Sequence, residues 1–229
     1  MDLIISTANF HNAVKNAVHF AAPTSDNVPI LSTANLVIRD KRLIIESTDR
    51  YKLLQIKVQD FSLEDDPNRA EDIPDNTVIG AVEVDHLKTI EQMLRAEARS
   101  TQKPTITLHH HHEESDLLKI TSNVTSLTQE YRLFTDAEYP NINSLFDGEL
   151  TEPKDQSGFD QIGLRHMQAV AKVQHTRYPK TRQDVVFHGS PRLKPVRVYW
   201  IADGDIWAQG LLMPIRWPDD AQPIAARHF

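Results

Sequence analysis

The most chemically loaded run in the chain is His109-His110-His111-His112-Glu113-Glu114. Imidazole and carboxylate side chains ligate zinc and nickel, so a metal-dependent hydrolase is one function class these residues allow. Their spacing argues for something simpler. Consecutive residues at the end of a strand project alternately to opposite faces, which scatters histidines 109–112 instead of converging them. A solvated hairpin tip is the expected role, with no bound metal or other cofactor. The sequence contains no Gly-x-Ser-x-Gly elbow, no phosphate-cradling loop and no His-Glu-x-x-His helix, and its 7 glycines leave little material for such loops. The chain therefore reads as a non-enzyme.

The second chemical feature is cationic. Segment 6–20 carries Lys15 and no acid; segment 86–103 carries Lys88, Arg95, Arg99 and Lys103 against Glu91 and Glu97. Segment 164–182 carries Arg165, Lys172, Arg177, Lys180 and Arg182 and no acid. Together these hold 10 basic and 2 acidic residues, and the rest of the chain holds 15 basic and 30 acidic, so a net charge of −7 conceals a local surplus of +8. A segregated positive face can attract phosphates while the remaining surface repels them.

The elements that must position these cations are helices. Phe10, Ala13, Val14, Ala17 and Val18 recur at helical spacing, with His11, Lys15 and His19 on another face. In the second segment Asp85 is a candidate N-cap, Leu87, Ile90, Leu94 and Ala98 form an apolar stripe, and Lys88, Arg95 and Arg99 project opposite. In the third, Leu164, Met167, Val170 and Ala171 are expected to face the core, leaving Arg165 and Lys172 outward. Taken singly, each is also what an ordinary solvated helix face looks like.

Each helix has a short apolar strand before it (3–6, 77–82, 159–162) and about three strands after it. These are 34–39, 43–47 and 53–58; then 105–109, 117–121 and 126–134; then 184–188, 196–201 and 206–212, with turns at Asp40-Lys41 and Asp203-Gly204. Helix starts near 8, 86 and 163 give a period of roughly 77 residues. The chain thus reads as α+β, three repeated βαβββ units with helices on one face and antiparallel sheets outside. Residues 62–75 are an acidic, proline-bearing connection; 140–158, with two prolines and two glycines, is the expected domain boundary; and 218–229 is a tail. The 229 residues have no cysteine and no apolar run of membrane-spanning length. The N-terminus lacks a signal-peptide pattern, so a cytoplasmic protein without membrane contact is expected.

Four stretches add a resemblance. Pro29-Ile30-Leu31-Ser32 leads into a hairpin; Thr48-Asp49-Arg50-Tyr51-Lys52-Leu53 resembles a Thr-Asp-Gly-His-Arg-Leu stretch; Glu138-Tyr139-Pro140-Asn141-Ile142 resembles an Asp-Phe-Pro-Asn segment; Leu212-Met213-Pro214-Ile215-Arg216-Trp217 resembles a Val-Met-Pro-Met-Arg-Leu terminus. With the repeated units, this pattern is similar to the DNA sliding clamps, above all the bacterial beta clamp that serves as polymerase processivity factor. The resemblance implies a DNA-clamp fold, with 1–143 as one complete domain and 156–217 as a half or reduced domain. It further implies a homo-oligomeric ring around duplex DNA, contacted without sequence preference. The partners it implies are DNA polymerase, other clamp-binding proteins and a clamp loader. A ring of twelve such units would need four chains of three; a non-ring DNA-binding scaffold built from the same units is the alternative.

Carried over by position, the resemblance implies DNA contact through Lys15, Lys88, Arg95, Arg99, Arg165, Lys172, Arg177, Lys180 and Arg182. It also implies a hydrophobic peptide pocket walled by Leu31, Thr48, Arg50, Tyr51, Lys52, Leu53, Leu212, Met213, Pro214, Ile215 and Arg216. Arg50, Tyr51 and Lys52 depart from the family stretch, and with them the peptide specificity. Read without the resemblance, Met213 and Ile215 are strand-core residues and Lys52 is solvated.

Overall fold

A computed structural model of the chain describes residues 1–58, 61–63, 73–100, 102–110, 116–146, 163–176, 178, 182–188 and 195–213. The first unit comprises β1 (Asp2–Ser6), α1 (Thr7–Ala17), β2 (Thr33–Arg39), β3 (Arg42–Thr48) and β4 (Lys52–Val58). A three-residue strand, β5 (Phe61–Leu63), follows. The second unit repeats the order in β6 (Thr77–Glu83), α2 (Val84–Leu94), β7 (Thr105–His110), β8 (Leu117–Ser122) and β9 (Thr128–Phe134). The third contains α3 (Leu164–Lys172), β10 (Gln183–His188), β11 (Val196–Ala202) and β12 (Asp205–Leu212). Its expected leading strand at 159–162 lies outside the described residues.

Local chemistry accounts for the turns. Asp40 and Lys41 both take positive φ, 49° and 56°, giving the two-residue hairpin whose twist matches its strands. Asp203 and Gly204, at φ 54° and 91°, make the same turn between β11 and β12. Ser126 also has positive φ, 55°, so β9 starts two residues later than the apolar pattern suggests.

The strands form an antiparallel sheet in the order β10-β11-β12-β4-β3-β2-β6-β9-β8-β7-β1-β5. The first two units exchange their leading strands: β1 pairs with β7 (Leu3 opposite Leu108) and β6 with β2 (Val82 opposite Ala34). The third unit joins through β12, which pairs with β4 from Ala208–Ile56 to Leu212–Lys52. Gly210 permits that approach, because a Cβ there would lie 2.5 Å from the Leu53 carbonyl oxygen. One core runs through all three units, from Leu3 and Phe10 through Leu87 and Ile120 to Trp200 and Leu212. Fully burying side chains of this size contributes about 1.5–3 kcal/mol each. Trp200 packs edge-on against Phe20, with centroids 5.8 Å apart, and donates its indole N–H to the Val170 carbonyl at 3.3 Å.

Three helix expectations require correction. Glu83, not Asp85, occupies the N-cap of α2; Asp85 lies in its first turn, and α2 stops at Leu94, so Arg99 falls in a separate 3-10 turn, Glu97–Arg99. Helix α1 is buried on more than its apolar stripe: His11, Asn12 and Asn16 are enclosed because α2 covers one side and the segment after α3 the other. The phase of α3 is rotated. His166, Ala169 and Val170 face inward, while Leu164 is 75% exposed, Met167 is 37% exposed and Ala171 faces solvent. Of the four residues expected to face the core, only Val170 is buried.

Candidate functional site

A cleft of about 920 Å³ opens beside α1 and the end of α2, lined by His11, Lys15, Glu91, Arg95, Arg99 and Lys103 among others. Three predicted DNA-contact residues, Lys15, Arg95 and Arg99, meet there. Glu91, which by sequence is only one of two acids in its segment, organises the cleft. Arg95 clasps it with both nitrogens, Nε to Oε1 at 3.1 Å and Nη2 to Oε2 at 2.7 Å, and His11 Nε2 lies 3.1 Å from Oε1. The Arg95 bonds hold the Glu91 carboxyl below the usual carboxylate range, with His11 adding to the effect. Burial pushes the His11 imidazole below its ordinary value despite Glu91. Glu91 thus offsets part of the cleft's positive charge and orients Arg95.

The other cations are dispersed along the helices. Lys88 is exposed on α2 and ion-paired to Asp85 at 2.8 Å. Lys172 lies at the end of α3 and Lys15 on α1, and burial, with these cations and Lys52 adding to it, lowers the His19 imidazole below its ordinary value. Arg165 stacks its guanidinium over the Tyr51 ring at 5.4 Å. Arg182 is exposed, 3.8 Å from Asp203. Arg177 and Lys180 lie outside the described residues.

Of the residues expected to wall a peptide pocket, the fold brings some together and separates others. Pairing of β12 with β4 places Leu212 opposite Lys52, and the Met213 amide donates to the Tyr51 carbonyl at 2.8 Å. Tyr51 and Met213 are both half-exposed. The turn before Tyr51 is set by Asp49, whose Oδ1 accepts from the Tyr51 and Lys52 amides at 3.0 and 2.9 Å, with Arg50 at φ 78°. Arg50 pairs with Asp26 at 2.6 Å. The His166 ring lies 6.1 Å from that of Tyr51. Asp26, Asp49 and His166 were missed from sequence; Asp49 was legible as an Asx-turn residue, whereas Asp26 and His166 arrive only through folding.

The remaining predicted wall residues are buried and diverge. Leu212 belongs to the main core, whereas Leu53 packs with Leu211 and Ile142, flanked by Tyr139 and Phe146. Leu31 packs with Ala22, Ile30 and Ala81, and Thr48 is buried, its hydroxyl donating to the Lys52 carbonyl at 2.9 Å. Lys52 is neither solvated nor open to a partner. Its ammonium bonds Asp49 at 2.9 Å and the Phe20 carbonyl at 3.1 Å, and burial lowers its pKa. Pro214, Ile215 and Arg216 lie outside the described residues.

The histidine run begins inside a strand. His109 Nδ1 lies 3.0 Å from Asp2 Oδ2, while His110, its neighbour on β7, is buried. His111, His112, Glu113 and Glu114 lie outside the described residues. Among the described residues no group of three or more His, Asp or Glu side chains is arranged to hold a metal ion. No described helix is long and apolar enough to cross a membrane.

No protein-family model and no curated protein matches the chain. Solved structures do. The DNA polymerase sliding clamp of Pseudomonas aeruginosa superposes with a TM-score of 0.66 at 11% identity, over 95% of this chain and 66% of that one. The DNA polymerase III beta subunit of Thermotoga maritima gives 0.60 at 15% identity, over 95% and 66%. The DNA polymerase III beta chain of Streptococcus pneumoniae gives 0.62 at 16%, over 95% and 65%. The chain therefore has the sliding-clamp fold, as its sequence pattern implied, and spans about two thirds of the length of these clamps.

Proposed function

We propose that this protein is a sliding clamp, a non-enzymatic processivity factor that encircles duplex DNA as a homo-oligomer and tethers a DNA polymerase to it. The observation that carries the reading is the combination of the clamp fold with a cationic helix side, where Lys15, Arg95, Arg99 and Lys103 line one cleft. Lys and Arg on helices bind phosphates without reading bases, which suits a protein that must move along its substrate. Among the described residues no Phe, Tyr or Trp lines that cleft, so it offers no such platform for stacking single-stranded bases.

Partner docking is assigned to the surface around Tyr51 and Met213. Two half-exposed, apolar-bodied side chains provide anchors, and Arg50 and Arg165 beside them supply charge for a peptide's acidic or carbonyl groups. Polymerase, other clamp-binding proteins and a clamp loader are the partners this surface would serve, in the cytoplasm where replication proceeds. The divergence of His109 and His110 gives the hydrolase alternative no support.

Retention on DNA circles tests the proposal. Protein loaded on a nicked circular plasmid should remain bound during gel filtration and be released when the circle is linearised. Equal retention on both forms would exclude topological linkage and leave a DNA-binding scaffold that does not close into a ring.

A further inference from the structure

The cation best placed to meet a phosphate in the helix cleft is already engaged. Arg95 turns the Nε–Nη2 edge of its guanidinium to the two oxygens of Glu91, at 3.1 and 2.7 Å. Parallel N–H bonds from one edge are also how arginine grips a phosphate, so the carboxylate holds a seat that a phosphate would take. The two side chains differ in access. That of Arg95 is 54% exposed and that of Glu91 only 14%, so an anion arriving from the cleft reaches the guanidinium first.

Behind Glu91 lies a titratable group. His11, on α1, is buried and directs Nε2 at the same Oε1 that Arg95 Nε binds, 3.1 Å away. Its Nδ1 is enclosed, with no hydrogen-bond partner among the described residues. Burial holds the imidazole below its ordinary value; the bond and the charge of Glu91 raise it, and the charges of Lys15 and Arg95 lower it. The Arg95 bonds in turn hold the Glu91 carboxyl down. The other cations turned into the cleft are Arg99 and Lys103, and β1, β5 and the segment after α3 add no charged group to its described lining. Glu97, just past α2, is turned away onto the Ser122 and Thr125 hydroxyls.

We propose that Arg95 is a phosphate seat closed by Glu91 in the free protein. A phosphate of duplex DNA opens it by drawing Arg95 off the carboxylate, and the Glu91–His11 pair takes up a proton from solvent. This rests on the proposed DNA binding and adds a mechanism to it. Every change at the seat acts in one direction. The departure of Arg95 removes a cation that lowers His11, leaves the carboxylate to face the imidazole alone, and brings the negative charge of a phosphate close. Each of these favours the protonated pair. By reciprocity, DNA affinity rises as pH falls through the range in which the pair takes up its proton.

Isothermal titration calorimetry of the full chain with a short linear duplex, at about pH 6.5, reads the proton directly. The heat should vary with the ionisation enthalpy of the buffer, with the slope that proton uptake gives. His19, lowered by burial and then by Lys172, Lys15 and Lys52, would add uptake of its own, so the series is repeated in a His19→Gln background. Uptake should persist there. It should be lost in Glu91→Gln, which keeps an amide oxygen for His11 but no charge, and reduced in Arg95→Gln, where the pair is more protonated before DNA arrives. Glu91→Gln should also bind the duplex more tightly than the wild type. Duplex binding without buffer dependence would overturn the inference and leave the proposed function standing, and so would uptake that survives Glu91→Gln. Absence of duplex binding would overturn both.

Discussion

Met213 donates its backbone N–H to the carbonyl of Tyr51 at 2.8 Å, extending the β12–β4 ladder by one bond and setting the two half-exposed side chains next to each other. Residues 162 positions apart in the chain thereby form one surface. If that surface receives partner peptides, Tyr51→Ala and Met213→Ala should each weaken polymerase binding by about 1–2 kcal/mol, roughly five- to thirty-fold. Because both side chains are already partly in water, thermal stability and oligomer mass should stay unchanged. Binding measured by surface plasmon resonance checks this; unaltered affinity in both variants moves the docking site elsewhere.

The helix cations should differ in their contribution to DNA binding. Lys15→Glu, Arg99→Glu and Lys172→Glu should each reduce affinity and flatten its salt dependence, by a slope change of about 0.9 for each phosphate that is no longer neutralised. Glu91→Gln should act oppositely, because it removes the acid that Arg95 clasps and raises the positive charge of the cleft. Fluorescence anisotropy across a salt series distinguishes these directions.

Stability should fall on mild acidification. Burial is the leading cause that lowers the imidazoles of His11, His19 and His166 below the ordinary value. The unfolded chain therefore binds these protons more readily than the folded one. The stabilisation is fully present above the ordinary imidazole pKa of about 6.5 and is lost as pH drops toward the depressed folded values. Glu91, also depressed, contributes fully above the ordinary carboxylate pKa and loses that contribution as pH falls from there to its lower folded value. Tm measured from pH 7.5 to 5.5 should decline, and a His19→Gln, His166→Gln variant should show a shallower decline.

Gly210→Ala should loosen the third unit. Its Cβ would meet the Leu53 carbonyl oxygen at 2.5 Å and the Trp200 ring at 3.0 Å, and neither backbone nor a buried indole can yield freely. Overpacking of this kind costs about 1–3 kcal/mol. Hydrogen exchange should show faster exchange across β12 and β4 than across β7 and β8.

Breaking the buried ion pair on the outer face of the sheet should cost more. Glu46 bonds Arg39 at 2.8 Å and Gln55 at 2.8 Å while almost wholly enclosed. Arg39→Ala removes the cation and leaves that buried charge only the neutral Gln55 and Asn35 amides, at a cost of about 3–5 kcal/mol. A shift in the urea midpoint equivalent to less than about 1 kcal/mol would mean that water replaces the guanidinium, since exposed pairs contribute no more than this.

By itself the sequence determined the order of the described helices and strands, β5 apart, and both two-residue turns, because those signals depend on neighbours a few positions away. Period-2 and period-3.6 apolar patterns, and Asp40-Lys41 or Asp203-Gly204 at the hairpin tips, are local chemistry. The charge of the helices and the pairing of the 48–53 stretch with the 212–213 end were legible too, the latter only through resemblance. Tertiary structure alone decided which residues of α3 join Val170 inside: the more apolar Leu164, Met167 and Ala171 are exposed, while His166 and Ala169 are buried. It also decided that Lys52 lies over Phe20, that Leu212 and Leu53 enter different clusters, and that Glu91 joins His11 across 80 positions. A local pattern reports that a side chain prefers burial. Which partner buries it is set by contacts such as Asn12 with the Thr176 amide, 164 residues away, that exist only once the chain has closed on itself.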